Sequence, residues 1–141
     1  MKMEFTTQPA TSYLKALEAA QAANDKKGQD IIMLDMKDLL SLIDIFVITS
    51  GSNTRQVRSI VEEIKERIFK KVNMKPLSIE GLHDAGWVLM DYGDVVVHVF
   101  LEQVRNYYEL ERLWANAPRL TPKLDTDSSG RNPTPISSGL T

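Results

Sequence analysis

Apolar and polar positions change their spacing several times along the chain, and the clearest pattern lies between Gly86 and Phe100. Two apolar runs, 87–90 and 95–100, flank the polar turn Asp91-Tyr92-Gly93-Asp94. Valines dominate the second run, and a branched Cβ favours a pleated strand over a helix. Gly93 can adopt the positive φ that a tight turn between two strands requires. The pattern predicts a β-hairpin.

Other apolar patterns predict three helices and three further strands. An alanine-rich helix is expected to begin at Thr11 or Ser12, with Gly28 as its left-handed C-cap. A helix from 54 to 72 is predicted from an apolar stripe at helical spacing, formed by Val57, Ile60, Val61, Ile64 and Ile68. Strands are predicted over 30–35, 44–50 and 77–81, and a last helix over 106–114.

The order of these elements predicts the fold class and the domain boundaries. Helix, strand, strand, helix, three strands and helix predict one α+β domain, in which helices pack on a mixed five-stranded sheet. Residues 1–10 are expected to form a flexible lead-in, and residues 11–116 the domain. Pro, Ser, Thr, Asp and Gly predominate over 117–141, so this segment is expected to be a disordered tail.

Composition limits the classes of function. A chain of 141 residues can bury one proper core. Its formal net charge of −2 argues against a primary contact with bare nucleic acid, which needs a basic surface, and leaves docking on a basic protein open. Without cysteine, disulfide and thiolate chemistry are excluded. With no signal-peptide core and no apolar run near the ~20 residues of a membrane span, a soluble, cytoplasmic protein is expected.

One stretch deserves comparison with an enzyme site. Thr49-Ser50-Gly51-Ser52 follows a predicted strand and precedes a predicted helix, where backbone N–H groups can hold phosphate. Nucleotidyltransferases place a Gly-Ser there, but they also need paired carboxylates on a nearby strand to bind a divalent metal. No such pair follows in this sequence. Gly51-Ser52 is therefore either a phosphate site or, as we favour, a loop with a helix cap.

The remaining titratable candidates do not form a catalytic pattern. His83 and His98 are fifteen positions apart on different elements, without metal-ligand spacing. Asp91 and Asp94 flank the hairpin turn, where such residues either bond the backbone of their own turn or bind a cation between them. We predict no catalytic residue, no metal site and no cofactor site.

The hairpin has two faces, because side chains alternate along a strand. Both faces are substantially apolar, whereas a sheet with one wet face alternates apolar with polar more cleanly. Either both faces are covered within the chain, or one of them binds a partner. The face with Trp87, Leu89, Asp91 and His98 is the better candidate, because interface cores mix large apolar groups with a few polar ones.

Several stretches over about residues 10–115 carry a resemblance to a known family: 27–31, 44–48, 49–57, 87–100 and 108–114. The long hairpin and the Tyr-x-Leu-Glu-x-Leu-Trp ending are specific as a pair. On these residues the chain resembles the ribosomal silencing factors of the RsfS/Iojap family. Gln56 departs from the pattern, since many relatives carry histidine there. The proline-rich tail is expected to lie outside the resemblance.

The resemblance implies a binding protein with a nucleotidyltransferase-like fold that lacks the metal-binding acids, and no enzyme. It implies binding to protein fourteen of the large ribosomal subunit (L14), which blocks joining of the small subunit and represses translation when nutrients run short. It also implies a homodimer when free, with no cofactor, no membrane and no direct nucleic-acid binding as the primary contact. The partner-binding residues expected from it are Trp87, Leu89, Asp91, Tyr92, His98 and Arg105.

Overall fold

The protein was analysed as a computed structural model, which describes residues 3–108, 112, 114–122 and 124. In chain order its elements are α1 (Met3–Asp25), β1 (Gln29–Asp35), β2 (Ile45–Gly51), α2 (Thr54–Val72), β3 (Ser78–Glu80), β4 (Trp87–Asp91), β5 (Val95–Leu101), α3 (Glu102–Tyr108) and β6 (Arg119–Leu120). The predicted single α+β domain with a mixed sheet is confirmed. None of the helices described is both long and apolar enough to cross a bilayer.

The sheet has the strand order β3-β4-β5-β2-β1-β6. The central pair, β2 and β5, is parallel, and every other pair is antiparallel. Because β2 and β5 run in the same direction, the residues that precede them lie side by side. Asp44 N accordingly donates to the Asp94 backbone carbonyl at 2.7 Å. The β1–β2 loop and the β4–β5 turn therefore meet at one edge of the sheet.

The predicted count of five strands is wrong, because the sheet has six. Residues of β6 pair with Met33 and Leu34 of β1, and Asp35 N donates to the Pro118 carbonyl at 2.8 Å. The predicted tail of 117–141 thus starts too early. A strand of two residues is too short to show an alternating pattern of apolar and polar side chains. It is defined only by its backbone pairing with β1. The rest of that tail, from 125 onward, lies outside the described residues.

The two faces of the sheet are covered differently. Helices α1 and α2 pack on one face, against valines of β2 and β5 and against Met33 and Met90. The opposite side, here called the outer face, has a smaller buried cluster formed by Leu34, Met36, Phe46, Ile48, Val96, Phe100 and Ala117. Its cover comes from the β1–β2 loop, from residues 114–117, from Val104 of the short helix α3, and from half-buried side chains of the sheet itself. The outer face is therefore the less completely covered one.

The predicted helix over 54–72 is confirmed residue for residue, with all five stripe residues buried. Asn53 Oδ1 accepts from Gln56 N as the N-cap, and Asn73 ends the helix with φ 57°. The cap predicted for α1 is wrong, since that helix begins at Met3. Ser12 is an interior helix residue whose hydroxyl is used in tertiary contacts instead of in a cap.

Two other helix ends differ from prediction. Lys27, with φ 65°, holds the left-handed position after α1 that was expected for Gly28. Gly28 is needed for space, because a Cβ there would lie 2.7 Å from Thr49 Oγ1. Helix α3 begins at Glu102, directly after β5, and not at 106. Most of the C-terminal part of the predicted helix lies outside the described residues, and Trp114 lies in a turn.

Candidate partner-binding site

Trp87, Leu89 and Asp91 alternate along β4 and share the outer face; we call them the Trp87 patch. Their β5 partners in the antiparallel register are Phe100, His98 and Val96. All three patch residues are half-buried, while every β5 residue from 95 to 100 is buried. The patch is thus an accessible strip beside a fully covered strand.

Aromatic side chains support Trp87 from beneath. Its ring lies 4.8 Å from the Phe100 ring, centroid to centroid. Its Nε1–H donates to His98 Nδ1 at 3.2 Å, and the His98 ring in turn meets the Phe46 ring edge to face at 4.5 Å. These contacts fix the indole in one orientation. A partner that binds a fixed indole loses little side-chain entropy by ordering it.

His98 is neutral in this environment. Only 5% of the residue is exposed, and burial lowers its pKa from 6.5 to about 4. Since Nδ1 accepts the indole proton, the ring proton must lie on Nε2. Nε2 has no hydrogen-bond partner among the described residues. His98 is therefore a buried support of the Trp87 patch and offers no surface of its own.

The two aspartates that flank the hairpin turn have different roles. Asp91 Oδ1 accepts from Gly93 N at 2.8 Å, which confirms the turn role, and Gly93 has the expected positive φ of 91°. Asp94 instead accepts from the Lys15 ammonium at 2.5 Å and from the Ser12 hydroxyl. The Ser12 hydroxyl also lies 3.0 Å from Asp44 Oδ2. The aspartate pair is therefore not arranged around a shared cation.

Sequence reasoning missed the contact between α1 and Asp94. Lys15 is only 3% exposed, so its charge needs a partner. Burial alone would raise the pKa of Asp94, but hydrogen bonds from Lys15 and Ser12, together with the charge of Lys15, outweigh burial and lower it. The available signal was spacing, because Ser12 and Lys15 share a helix face with the buried Ala19 and Ala22.

The six residues expected to bind a partner are not brought together. Tyr92 is 3% exposed and belongs to the helix-side core, where burial raises its pKa to about 12. Arg105 is 4% exposed and donates to the Gln29 carbonyl and to Ser50 Oγ, both at 3.3 Å. The structure therefore places both Tyr92 and Arg105 inside the domain, and not on the surface where a partner-binding residue was expected. Only the Trp87 patch itself offers surface.

The loop at Gly51-Ser52 is filled by the chain's own groups. Ser52 N donates to Gln56 Oε1 at 2.7 Å, and Gln56 Nε2 donates to the carbonyls of Lys26 and Lys27 at 3.0 and 2.9 Å. Gln56 thereby ties the loop to the end of α1. These contacts favour the loop-and-cap interpretation over a phosphate site. No group of three acidic or histidine side chains suited to a metal occurs within the described part of the chain.

The protein is thus an α+β domain with an accessible strip on its sheet, where aromatic side chains pack against Trp87. The family model described as "Ribosomal silencing factor during starvation" (RsfS) matches residues 9–138. The match is longer than the predicted 10–115, so the expectation that the proline-rich tail lies outside the resemblance is wrong. The chain belongs to this family of ribosomal silencing factors.

Individual relatives agree with this assignment. The Ribosomal silencing factor RsfS of Bacillus subtilis is 44% identical over 100 residues, which are 71% of this chain and 84% of the relative. The chloroplastic Protein Iojap of Arabidopsis thaliana is 33% identical over 87% of this chain and 51% of its own length. A crystal structure from Chromobacterium violaceum superposes with a TM-score of 0.69 at 34% identity, covering 83% of this chain and 94% of that one. The RsfS/Iojap resemblance is thus confirmed.

Proposed function

We propose that this protein silences ribosomes by binding and not by catalysis. In this proposal it docks on L14 of the large ribosomal subunit, blocks joining of the small subunit, and so represses translation when nutrients are limited. Family membership supports the ribosomal part, since the relatives are named ribosomal silencing factors. The proposed place of action is the cytoplasm, and the proposed fold relationship is to nucleotidyltransferases without their metal-binding acids.

The observation that carries the docking proposal is the half-exposure of Trp87 and Leu89 beside the buried residues 95–100 of β5. Tryptophan is the side chain most enriched among residues that dominate binding energy at interfaces. Here the indole is held by Phe100 and His98, so it is preorganised for insertion into a partner's pocket. Asp91, half-buried beside them, supplies an acceptor for a basic partner.

Sedimentation with purified large subunits tests this proposal. Trp87→Ala removes the anchor, and we expect binding to weaken by about tenfold or more. Phe69→Ala is the matched control, because Phe69 is also an exposed aromatic, at 47%, but lies on α2 across the sheet. Its binding should equal that of the parent. Circular dichroism must first establish that both variants fold.

A second variant guards against loss of packing at Trp87. Leu89→Gln keeps the approximate volume at a half-exposed position and places an amide in the interface, so it should weaken binding without unfolding the protein. Direct capture of isolated L14 tests the named partner. Full binding by both variants would refute the docking site, and capture of large subunits but not of L14 would refute the partner.

The order of mixing tests the mechanism of silencing. A steric block predicts that protein added to large subunits before small subunits prevents formation of complete ribosomes, which light scattering reports. Protein added after joining should act only as fast as ribosomes dissociate. Equal inhibition in both orders would argue against a simple block. We further propose a homodimer in the free state, which ultracentrifugation of diluted samples would detect as a concentration-dependent mass.

A further inference from the structure

The β1–β2 loop, residues 36–44, is a closed and internally bonded turn. Met36 is fully buried in the outer-face cluster, and its N–H donates to the Asp44 carbonyl at 2.8 Å, which joins the two ends of the loop. Leu39 N and Leu40 N both donate to the Met36 carbonyl, at 3.0 and 2.8 Å. The loop therefore has a defined shape before any partner binds.

This closed loop presents apolar side chains to solvent. Leu42 is 84% exposed and Leu39 is 44% exposed. Their neighbours Leu40 and Ile43 pack on the same outer-face cluster as Trp87 and Leu89. A single exposed leucine is ordinary, but exposed leucines that continue a half-covered apolar face enlarge one patch. The loop thus adds exposed apolar side chains to the outer face at the edge where the β4–β5 turn lies.

Five carboxylates lie on the segments that flank this apolar surface, and two of them, those of Asp44 and Asp94, contact Ser12 or Lys15 of α1. Asp35, Asp38 and Asp44 belong to the end of β1 and its loop, and the β4–β5 turn adds Asp91 and Asp94. Asp44 and Asp94 meet through the 2.7 Å backbone bond described above. Cations at this edge include Lys37, 3.5 Å from Asp35, the buried Lys15, and the exposed Arg119, which pairs with Leu34 next to Asp35.

The edge is therefore acidic, although the whole chain carries only −2. Like charge disfavours docking on exposed RNA phosphates and favours a basic protein surface. Apolar anchors within an acidic rim match a basic protein that has an apolar pocket. On a ribosomal subunit, this chemistry selects protein over RNA as the surface contacted.

We propose that the β1–β2 loop is a second contact with the large subunit, in which Leu42 enters an apolar pocket on a basic ribosomal protein. This proposal rests on the proposed function and adds a second element to the docking surface. Two anchors on separate elements would fix the orientation of the domain, which a steric block requires. The Trp87 patch alone would leave rotation about one contact unrestrained.

Equilibrium binding to purified large subunits tests the loop. Leu42→Ser should weaken binding by about tenfold, and Leu42→Met, which retains an apolar side chain, should bind like the parent. Leu14→Ser is the matched control, because Leu14 is 38% exposed on α1, across the sheet from the outer face. It should bind within about twofold of the parent, a change of under 1 kcal/mol. Thermal melting should show all three variants folded.

The Trp87→Ala variant, measured beside them, separates the two proposals. Loss of binding in Trp87→Ala with full binding in Leu42→Ser overturns the loop contact and leaves the proposed function standing. Absence of binding by the parent protein overturns both. Equal weakening by Leu14→Ser and Leu42→Ser also overturns the loop contact, since the effect would not be local. If Leu42→Ser changes only the oligomeric state, the loop contacts a second copy of the chain and the ribosomal assignment is wrong.

Discussion

Lowering the pH should destabilise the protein through His98, and replacing that residue should abolish the effect. The buried imidazole is neutral when folded, with its pKa lowered to about 4 from 6.5. Between these two pH values the unfolded chain binds a proton on this histidine and the folded chain does not. Protons therefore favour the unfolded state. The contribution of the neutral His98 to stability is fully present above pH 6.5 and is lost as the pH falls toward 4.

The two pKa values set the size of this effect. Between about pH 7.5 and about pH 5.5, the linkage relation gives a loss of about 1 kcal/mol in the free energy of unfolding. For a chain of this length that corresponds to a fall of about 3 °C in Tm. Carboxyl groups in model peptides titrate at about pH 4, which lies below this window, so His98 should dominate the slope.

Urea unfolding at the two pH values measures the loss directly. His98→Phe places another ring beside Phe46 and Phe100 and carries no titrating group, so its stability should be the same at both values. His83→Gln is the control, because His83 is an exposed loop residue, and this variant should keep the parent's pH dependence. A parent with equal stability at both pH values, or an unchanged slope in His98→Phe, would refute the reasoning.

Two further predictions concern the parts that position the site. Asp94→Ala should lower the free energy of unfolding by about 3 kcal/mol, because it leaves the buried Lys15 charge unpaired. Lys15→Met should lower it clearly less, because the Asp94 carboxylate is 27% exposed to water. Thermal melting of the two variants measures the difference. Gly81→Ala should lower the free energy of unfolding by at least about 1–2 kcal/mol because the φ of Gly81 is 86°, and by more because the new Cβ would lie 2.2 Å from the Trp87 carbonyl oxygen. Since that carbonyl belongs to Trp87, binding to large subunits should weaken as well. A melting temperature equal to the parent's, or unweakened binding, would contradict this prediction.

The local spacing of apolar residues was sufficient to predict the elements whose buried positions recur at regular intervals. Helix α2 has one apolar stripe and a cap at each end, so its bounds could be read directly. The hairpin was equally clear, because its valines and its turn glycine satisfy strand and turn requirements within fifteen residues. The division of β4 side chains between two faces followed from alternation alone, and the register places Trp87, Leu89 and Asp91 as expected.

Side-chain burial at the site depended on residues distant in the chain. Trp87 stays half-exposed, while His98 on the same face is buried beneath Phe46 and the indole. Arg105 of α3 is buried because its side chain reaches Gln29 of β1 and Ser50 of β2. Neither result has a local signature, since the spacing of residues around each position is unchanged whether or not a distant segment covers it.

The sequence by itself determined the family, the fold class, the central helix, the hairpin and the strip of β4 that faces outward. The family followed from stretches that resemble those of known relatives, whereas the other features follow from periodicity and turn chemistry, which act within a few residues. Only the tertiary structure decided that β6 joins the sheet through β1, that Ser12 and Lys15 bind Asp94, and which residues of the predicted site remain accessible. Those outcomes depend on which segments meet in space, because backbone pairing at a sheet edge and the pairing of buried charges are contacts between remote parts of the chain.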